Sequence, residues 1–316
     1  MTFNYTPDIN MLDQFWWYIY ERQLVWHNRY ILKLPVEKWS AHNKYMQKWK
    51  FCNVSPKDDR GTKYIMEKVK NVTNNKDKLF RIMFYRLFNK TETFDMVDDF
   101  IYVDKFDADK VFQIIDSARQ SGKTVFTDAF MVTGCGTVKY EKTKGNKVAM
   151  VIYDAIEKDI FKNIDLYYNS VVNAKDLSDI HKALREPRMF GPFLSYVALV
   201  DVVYAGIVPF SLNDWANVGP GARKALEQIY PKIQSQDLLS AMIHLRDISS
   251  AEFKRIGVDF VTVNQGRNME LVDIEYSLCE AQKYFSLIRG NVKASKNRYF
   301  EPHNQHNQQQ SIQTTL

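Results

Sequence analysis

Cysteine is scarce: Cys52, Cys135 and Cys279 are the three in 316 residues. They are odd in number and far apart, and none forms a C-x-x-C pair or joins a Cys/His cluster, which excludes a disulfide framework and a zinc finger. Glycine (12) and proline (9) are too few to punctuate an all-β chain with turns. Long uncharged apolar runs are missing as well. The longest, Phe193 to Phe210, carries Asp201 near its middle. A central aspartate costs about 2.5–3.5 kcal/mol in membrane insertion, so this run reads as a buried core helix. The opening residues, MTFNYTPDINMLDQF, have no basic stretch ahead of an apolar one, and no secretory signal is read there. A reducing, cytoplasmic setting without a membrane partner is the expectation. Charge of one sign is not in large excess either: 43 Lys+Arg stand against 37 Asp+Glu, a net +6 with pI about 8.9.

What the chain does have is aromatic and aliphatic bulk, with 20 Phe, 18 Tyr and 6 Trp in a sequence that is 45% hydrophobic. With a mean hydropathy of −0.39 it can bury a large core. Apolar residues at helical spacing predict an all-α fold. Helices are expected at 11–31, after a Thr6-Pro7 start, and at 36–50, 61–71, 76–89, 108–120, 148–168, 174–184, 191–205, 222–229, 236–255 and 270–289. They form one helical domain over residues 1–300, any division into two lobes falling at the cationic loop near residue 140. Residues 301–316, EPHNQHNQQQSIQTTL, are too polar to order themselves.

Three motifs carry chemistry. Gly122-Lys123-Thr124 supplies the second half of a phosphate-binding loop, but the first glycine is absent and a helix precedes it. A turn between two helices is the better reading. Asn217-Val-Gly-Pro-Gly-Ala-Arg-Lys224 is a more credible anion site, because Gly219 and Gly221 open a helix whose free N–H groups favour phosphate, with Arg223 and Lys224 beside them. An ordinary loop-to-helix turn with solvated cations is its alternative. Asp214-Trp215 lies just upstream, putting a carboxylate, an indole and this turn within a dozen residues. Third, Pro187-Arg-Met-Phe-Gly-Pro192 is a tight turn between two helices, with Arg185 and Arg188 placed to assist a phosphate contact, although spacing alone favours a plain helix-helix connector. Asp201, Asp58-Asp59-Arg60 and the Glu275/Glu280/Lys283 set read as structural: a satisfied core carboxylate, a helix cap with an ion pair, and a helix with side-chain pairs at i,i+3 or i,i+4. The run Arg289, Lys293, Lys296, Arg298 suits a nucleic-acid backbone or a solvated face.

Seven stretches in order, FWWYIYERQLVWHNRY, KFCNVSPKDDRGTKY, KLFRIMFYRLFN, GKTVFTDAF, FGPFLSYVALVDVVY, DWANVGPGARKAL and DIEYSLCEAQKY, resemble the DNA-glycosylase-like helical proteins of phage thymine hypermodification. That family comprises the alpha-glutamyl/putrescinyl thymine pyrophosphorylases, or amino acid:DNA transferases, and shares its helical module with 5-hydroxymethyluracil DNA kinases. The resemblance implies a glycosylase-like fold and DNA with modified thymine as substrate. It further implies an amino acid or polyamine as co-substrate, association with the pathway kinase, and protection of phage DNA from restriction. In this light Phe190-Gly191-Pro192 would be a helix-hairpin-helix gripping a DNA phosphate, and Asp214 would match the catalytic carboxylate of glycosylases. The sequence departs from the family pattern at Met189, where relatives commonly have glycine, and at Ser55-Pro56-Lys57, where an arginine is expected before Asp59-Arg60.

The expected reaction is displacement of pyrophosphate from 5-pyrophosphoryloxymethyluracil by an amine. Trp215 or Phe193 would stack on the extruded base. Gly219, Gly221, Arg223 and Lys224 would hold the pyrophosphate, and Asp214 would take the proton, with Arg22, Asp59 and Arg60 completing the pocket. No cofactor is required and no metal-ligand spacing is present, so any Mg²⁺ would bind through substrate phosphates. The alternatives are a base glycosylase, which would release a base, a kinase-associated DNA-binding module, and a non-enzymatic scaffold.

Overall fold

The computed structural model describes residues 3–40, 43–127, 146–258 and 268–290. The expected tail at 301–316, most of the cationic loop and Lys293, Lys296 and Arg298 lie outside them. The described residues are helical, with no β-strand among them. In chain order the α-helices are α1 (Ile9–Trp26), α2 (Lys44–Lys48), α3 (Arg60–Val69), α4 (Asn75–Phe88), α5 (Thr91–Asp95), α6 (Ala108–Gln120), α7 (Lys147–Ala149), α8 (Ile164–Val172), α9 (Leu177–Arg185), α10 (Pro192–Tyr204), α11 (Pro220–Ile229), α12 (Leu238–Arg255) and α13 (Leu271–Ile288).

Several boundaries differ from the sequence reading for identifiable reasons. The first helix is capped by Asp8, whose Oδ1 accepts the Met11 N–H at 3.1 Å, and not by Thr6. It widens into π geometry at His27–Ile31 and stops at Lys33, which takes a left-handed φ of 55°. The helix expected at 36–50 is two short pieces, Val36–Lys38 and α2. Between them Ser40 is buried with its hydroxyl donating to Glu21 Oε2 at 2.7 Å, and Asn43 starts α2 afresh by accepting the Tyr45 and Met46 N–H groups. The helix expected at 148–168 runs as α7, a π segment over Met150–Ile160, a 3-10 turn at Phe161–Asn163 and then α8.

The chain divides into two compact units at 58/59 and 217/218. Residue 140, the expected position of any division, lies outside the described residues. The first unit joins residues 1–58 to 218–316. Its centre is α13, packed by α1, α2, α11 and α12 and buried on nearly every side, from Leu271 and Ile274 through Leu278, Ala281 and Phe285. The second unit is continuous, 59–217, and is built around α4, whose residues Leu79 to Phe88 are all buried. Helices α3, α5, α8 and α10 and the π segment pack on it. Asp201 of α10 is fully buried, and there Arg86 grips it with two bonds, Nε to Oδ2 at 2.5 Å and Nη2 to Oδ1 at 2.8 Å. Gly61 allows α3 to close on this pair, since a Cβ there would stand 3.1 Å from the Tyr85 hydroxyl and 3.3 Å from Arg86 Nη1. The core-helix reading of Phe193 to Phe210 holds as far as Tyr204, beyond which residues 205–210 leave the helix, and the satisfied-carboxylate reading of Asp201 holds.

Candidate active site

In the first unit, Gly219-Pro220-Gly221 opens α11, with Gly219 as N-cap and Pro220 at the first helical position. Gly221 is there for packing. A Cβ on it would lie 2.9 Å from Cys279 Sγ and 3.0 Å from the Cys279 carbonyl, so α11 and α13 approach as closely as backbones permit. Glu275, one turn before Cys279, points at the start of α11. Its carboxyl accepts the Gly219 N–H, and burial pushes its pKa up to about 8, against which that one hydrogen bond works. The turn that the sequence reserves for phosphate therefore faces an acid of the protein's own, largely protonated at neutral pH. A helix N-terminus favours the charged form of such an acid, yet desolvation is the larger effect.

Beside this lies a knot around Arg22 of α1. Arg22 Nε donates to the carbonyls of Phe51 (3.2 Å) and Cys52 (2.9 Å), and Nη2 donates to Asn53 Oδ1. Nη1 is buried with no hydrogen-bond partner. From the opposite side Glu280 Oε2 accepts the Cys52 N–H at 3.2 Å while Oε1 pairs with Lys283, the i,i+3 pair expected from the sequence. Tyr18 stands within reach of the charges of Glu280, Arg22, Cys52 and Cys279, and its own burial raises the phenol well above its ordinary range. Arg22, Cys52, Asn53, Glu280, Cys279 and Glu275 thus form one polar seam along α13. A proton-exchanging carboxyl and an incompletely used guanidinium are what it offers chemically. Arg223 is at the exposed side of α11, bonded to Glu227 (3.0 Å) and Ser235, and Lys224 is exposed next to it.

In the second unit, α9 and α10 are joined by a hairpin over residues 186–191. Gly191 is the N-cap of α10, and Met189 adopts φ 68°, the left-handed conformation glycine takes without strain. Phe190 is buried, Phe193 is 52% exposed, and Arg188 pairs with Asp159 at 3.3 Å. Trp215 leans on His181 (ring centroids 5.2 Å) and Tyr196 (6.1 Å), while His181 Nε2 bonds the Pro192 carbonyl at 3.0 Å. Burial lowers the His181 pKa, so it is the neutral imidazole that holds this corner. Asp214 is exposed and closes its own turn, accepting the Ser211 N–H at 3.2 Å. Asp59 stands at the N-cap position of α3 without a side-chain cap bond, and exposed Arg60 reaches Thr91 (3.2 Å) and Glu92 (3.6 Å).

The sequence-predicted residues therefore fall into two groups. Arg22, Gly219, Gly221, Arg223 and Lys224 belong to the first unit, and Asp59, Arg60, Arg188, Phe190, Gly191, Phe193, Asp214 and Trp215 to the second. Glu275 escaped the sequence reading as a functional group. Its signal was its place in the apolar stripe Leu271, Leu278, Phe285, where an acid is out of keeping with its neighbours. Gly122 has φ 86°, and the Lys123 N–H bonds the Ala118 carbonyl at 3.0 Å, so it is the glycine stop of α6 and no phosphate loop. Among the described residues there is no group of three or more His, Cys, Asp and Glu side chains able to hold a metal ion, and no helix long and apolar enough to cross a membrane.

Residues 9–294 match the family model for the helical domain of 5-hmdU DNA kinase. The chain is 25% identical over 290 residues to the 5-hmdU DNA kinase of Bacillus phage SP10, an alignment covering 87% of this chain and 45% of the phage protein. It thus spans about half the length of the curated relative it matches. No solved structure matches significantly. The chain belongs to the family of 5-hmdU DNA kinase helical domains.

Proposed function

We propose that the chain acts on modified thymine in phage DNA, transferring an amine from an amino acid or polyamine to 5-pyrophosphoryloxymethyluracil with release of pyrophosphate. The observation that carries this reading is Glu275, a buried carboxyl with a pKa of about 8 beside a helix N-terminus. In the transfer, the donor ammonium first loses a proton to a base. The neutral nitrogen attacks the methylene carbon, the C–N bond forms, and the C–O bond breaks with its electron pair leaving on pyrophosphate. A base near pKa 8 suits that first step close to neutral pH. Glu275 would accept the proton, and the Arg22 Nη1 hydrogens would face charge developing on the leaving group. The base-stacking role of Trp215 and Phe193 and the phosphate grip of the hairpin at 186–191 remain part of the proposal, as does Asp214 as a rival base.

A second reading is supported by the family match: the chain is the DNA-handling module of a 5-hmdU kinase, with ATP chemistry supplied elsewhere. The relative's greater length and the helix-stop role of Gly122 support it. One experiment separates them. DNA containing 5-pyrophosphoryloxymethyluracil is incubated with the protein and a pool of amino acids and polyamines, digested, and its nucleosides are weighed by mass spectrometry. A nucleoside carrying an amine in place of pyrophosphate supports the transferase. Abasic sites would make it a glycosylase. Unchanged nucleosides, with DNA binding intact, would leave the kinase-associated module. If Glu275 is the base, turnover rises with pH toward a plateau above about 8, and Glu275→Gln removes it while Asp214→Asn does not.

A further inference from the structure

The net charge of the chain is concentrated in one short stretch. Residues 23–57 hold Arg29, Lys33, Lys38, Lys44, Lys48, Lys50 and Lys57 against Glu37 alone, so this tenth or so of the chain carries +6, the net charge of the whole. Aromatic residues alternate with these cations: Trp26, Tyr30, Trp39, Tyr45, Trp49. In the structure the two sets meet face to face. The Arg29 guanidinium lies over both the Tyr30 ring (4.8 Å) and the Trp39 ring (4.6 Å), Lys44 lies over Tyr45 (5.3 Å), and Lys48 over Trp49 (5.1 Å). The five lysines from Lys33 to Lys50 are exposed, Tyr30 is 42% exposed, and Trp39, Tyr45 and Trp49 are half-exposed.

These groups form one surface. Asn28 Nδ2 donates to the carbonyls of Lys38 (3.2 Å) and Trp39 (3.1 Å), fixing the end of α1 to the 36–39 turn, and Gln47 Nε2 donates to the Ser40 carbonyl at 2.5 Å, fixing α2 to the same turn. A merely solubilising surface needs charge of either sign and no rings. Here acid is nearly excluded and every cluster of cations has an aromatic beside it, the combination that tracks a phosphate backbone and stacks its bases.

We propose that the surface formed by residues 26–40 and 43–50 binds an unpaired DNA strand, its lysines on successive phosphates and its rings against exposed bases. An unpaired strand fits better than a duplex because a duplex keeps its base faces stacked on one another. The proposal rests on the DNA-acting reading for the identity of the polymer, and it assigns strand binding to a surface distinct from the Glu275 seam and from the α9–α10 hairpin.

The test is fluorescence anisotropy of a labelled 20-nucleotide oligothymidine titrated with the full chain at several salt concentrations. Two variants are compared with the parent, K33E/K38E/K44E/K48E and Tyr30→Ala, each checked for unchanged helicity and melting temperature. The charge reversal is expected to weaken binding more than tenfold at low salt. It also flattens the log–log salt slope by about 0.7 for each phosphate that is no longer neutralised. Tyr30→Ala is expected to weaken binding about fivefold or more with the slope unchanged. Binding by the charge-reversed variant equal to that of the parent would overturn the surface while leaving the proposed reaction standing. So would a duplex that competes as well as the single strand, or a parent that binds phosphatidylserine vesicles and no oligonucleotide. Patch-dependent binding with no nucleoside conversion would do the opposite, sinking the transferase and keeping the surface.

Discussion

Glu275 ties stability to pH in a direction opposite to most carboxylates. Burial raises it from an ordinary 4.5 to about 8, so between those values the folded chain holds a proton that the unfolded chain has released. Its contribution is fully present below about pH 4.5 and is lost as pH rises to about 8, at roughly 1.4 kcal/mol for each pH unit in between. Glutamine at this position cannot lose the proton. Melting temperatures from pH 5 to 9 are therefore expected to fall more steeply for the parent than for Glu275→Gln, and parallel curves would mean that the acid is not buried neutral. Gly221→Ala sets a Cβ against both Cys279 Sγ and the Cys279 carbonyl. A loss of about 1–3 kcal/mol in denaturant titration is expected. Cys279→Ala should restore only part of it, because the carbonyl contact at 3.0 Å stays. The Arg86–Asp201 pair behaves differently again. Asp201→Asn leaves the Arg86 guanidinium buried against a neutral group, at a cost of about 3–5 kcal/mol in the same measurement.

At the scale of elements, strong periodicity was a reliable guide. The helix expected at 108–120 is observed with those bounds, and those expected at 76–89, 191–205 and 270–289 lie within a residue or so of α4, α10 and α13. It failed where a polar side chain competes for backbone groups. Ser40, accepting the Asn43 N–H, and Asn43, accepting the Tyr45 N–H, both redirect the chain through their own hydrogen bonds, and hydrophobic spacing does not register that competition. Gly122 was legible as a turn because a helix stood where a phosphate loop needs a strand. Nothing lies within 4 Å of a Cβ built on it, so Gly122→Ala tests its positive φ alone. A loss of about 1 kcal/mol is expected, with no change in any nucleotide dependence. In the hairpin, Met189 bears a conformation suited to glycine. Met189→Gly is expected to keep the turn and match the parent's stability or exceed it by up to about 1 kcal/mol in thermal melts. A clear loss would show that the methionine side chain holds the hairpin.

For the whole molecule, fold class was readable from composition and spacing, because burial of apolar faces is a property of segments. The candidate site was only partly readable, because it is a property of segments meeting. Arg22 could be named from its motif, yet that it clasps the carbonyls at 51 and 52 depends on α1 lying along an irregular stretch whose backbone offers them. Glu275 acquires its chemistry from α11 closing over it through Gly221, a contact between residues more than fifty positions apart. The two-unit division follows from the same cause: the break at 217/218 adjoins Gly219-Pro220-Gly221, but that turn is packed against α13, and the break at 58/59 adjoins only Pro56, so neither stands out in the sequence as a linker.

That division sets an order of events as the chain is made. The unit around α4 is continuous and can close once residue 217 has emerged, but α1 and its aromatic face belong with α13, whose first residue is 271. At translation speeds of about 5–20 residues per second, α1 waits roughly 10 to 50 s for the helix that covers it. Through that interval Phe15, Trp16 and Ile19, none of them exposed in the finished molecule, lack the cover of α13, and Trp16 lacks Phe253, against which its ring packs. A ribosome-bound chain arrested near residue 230 should therefore engage chaperones through its first helix, and one released past residue 290 should not.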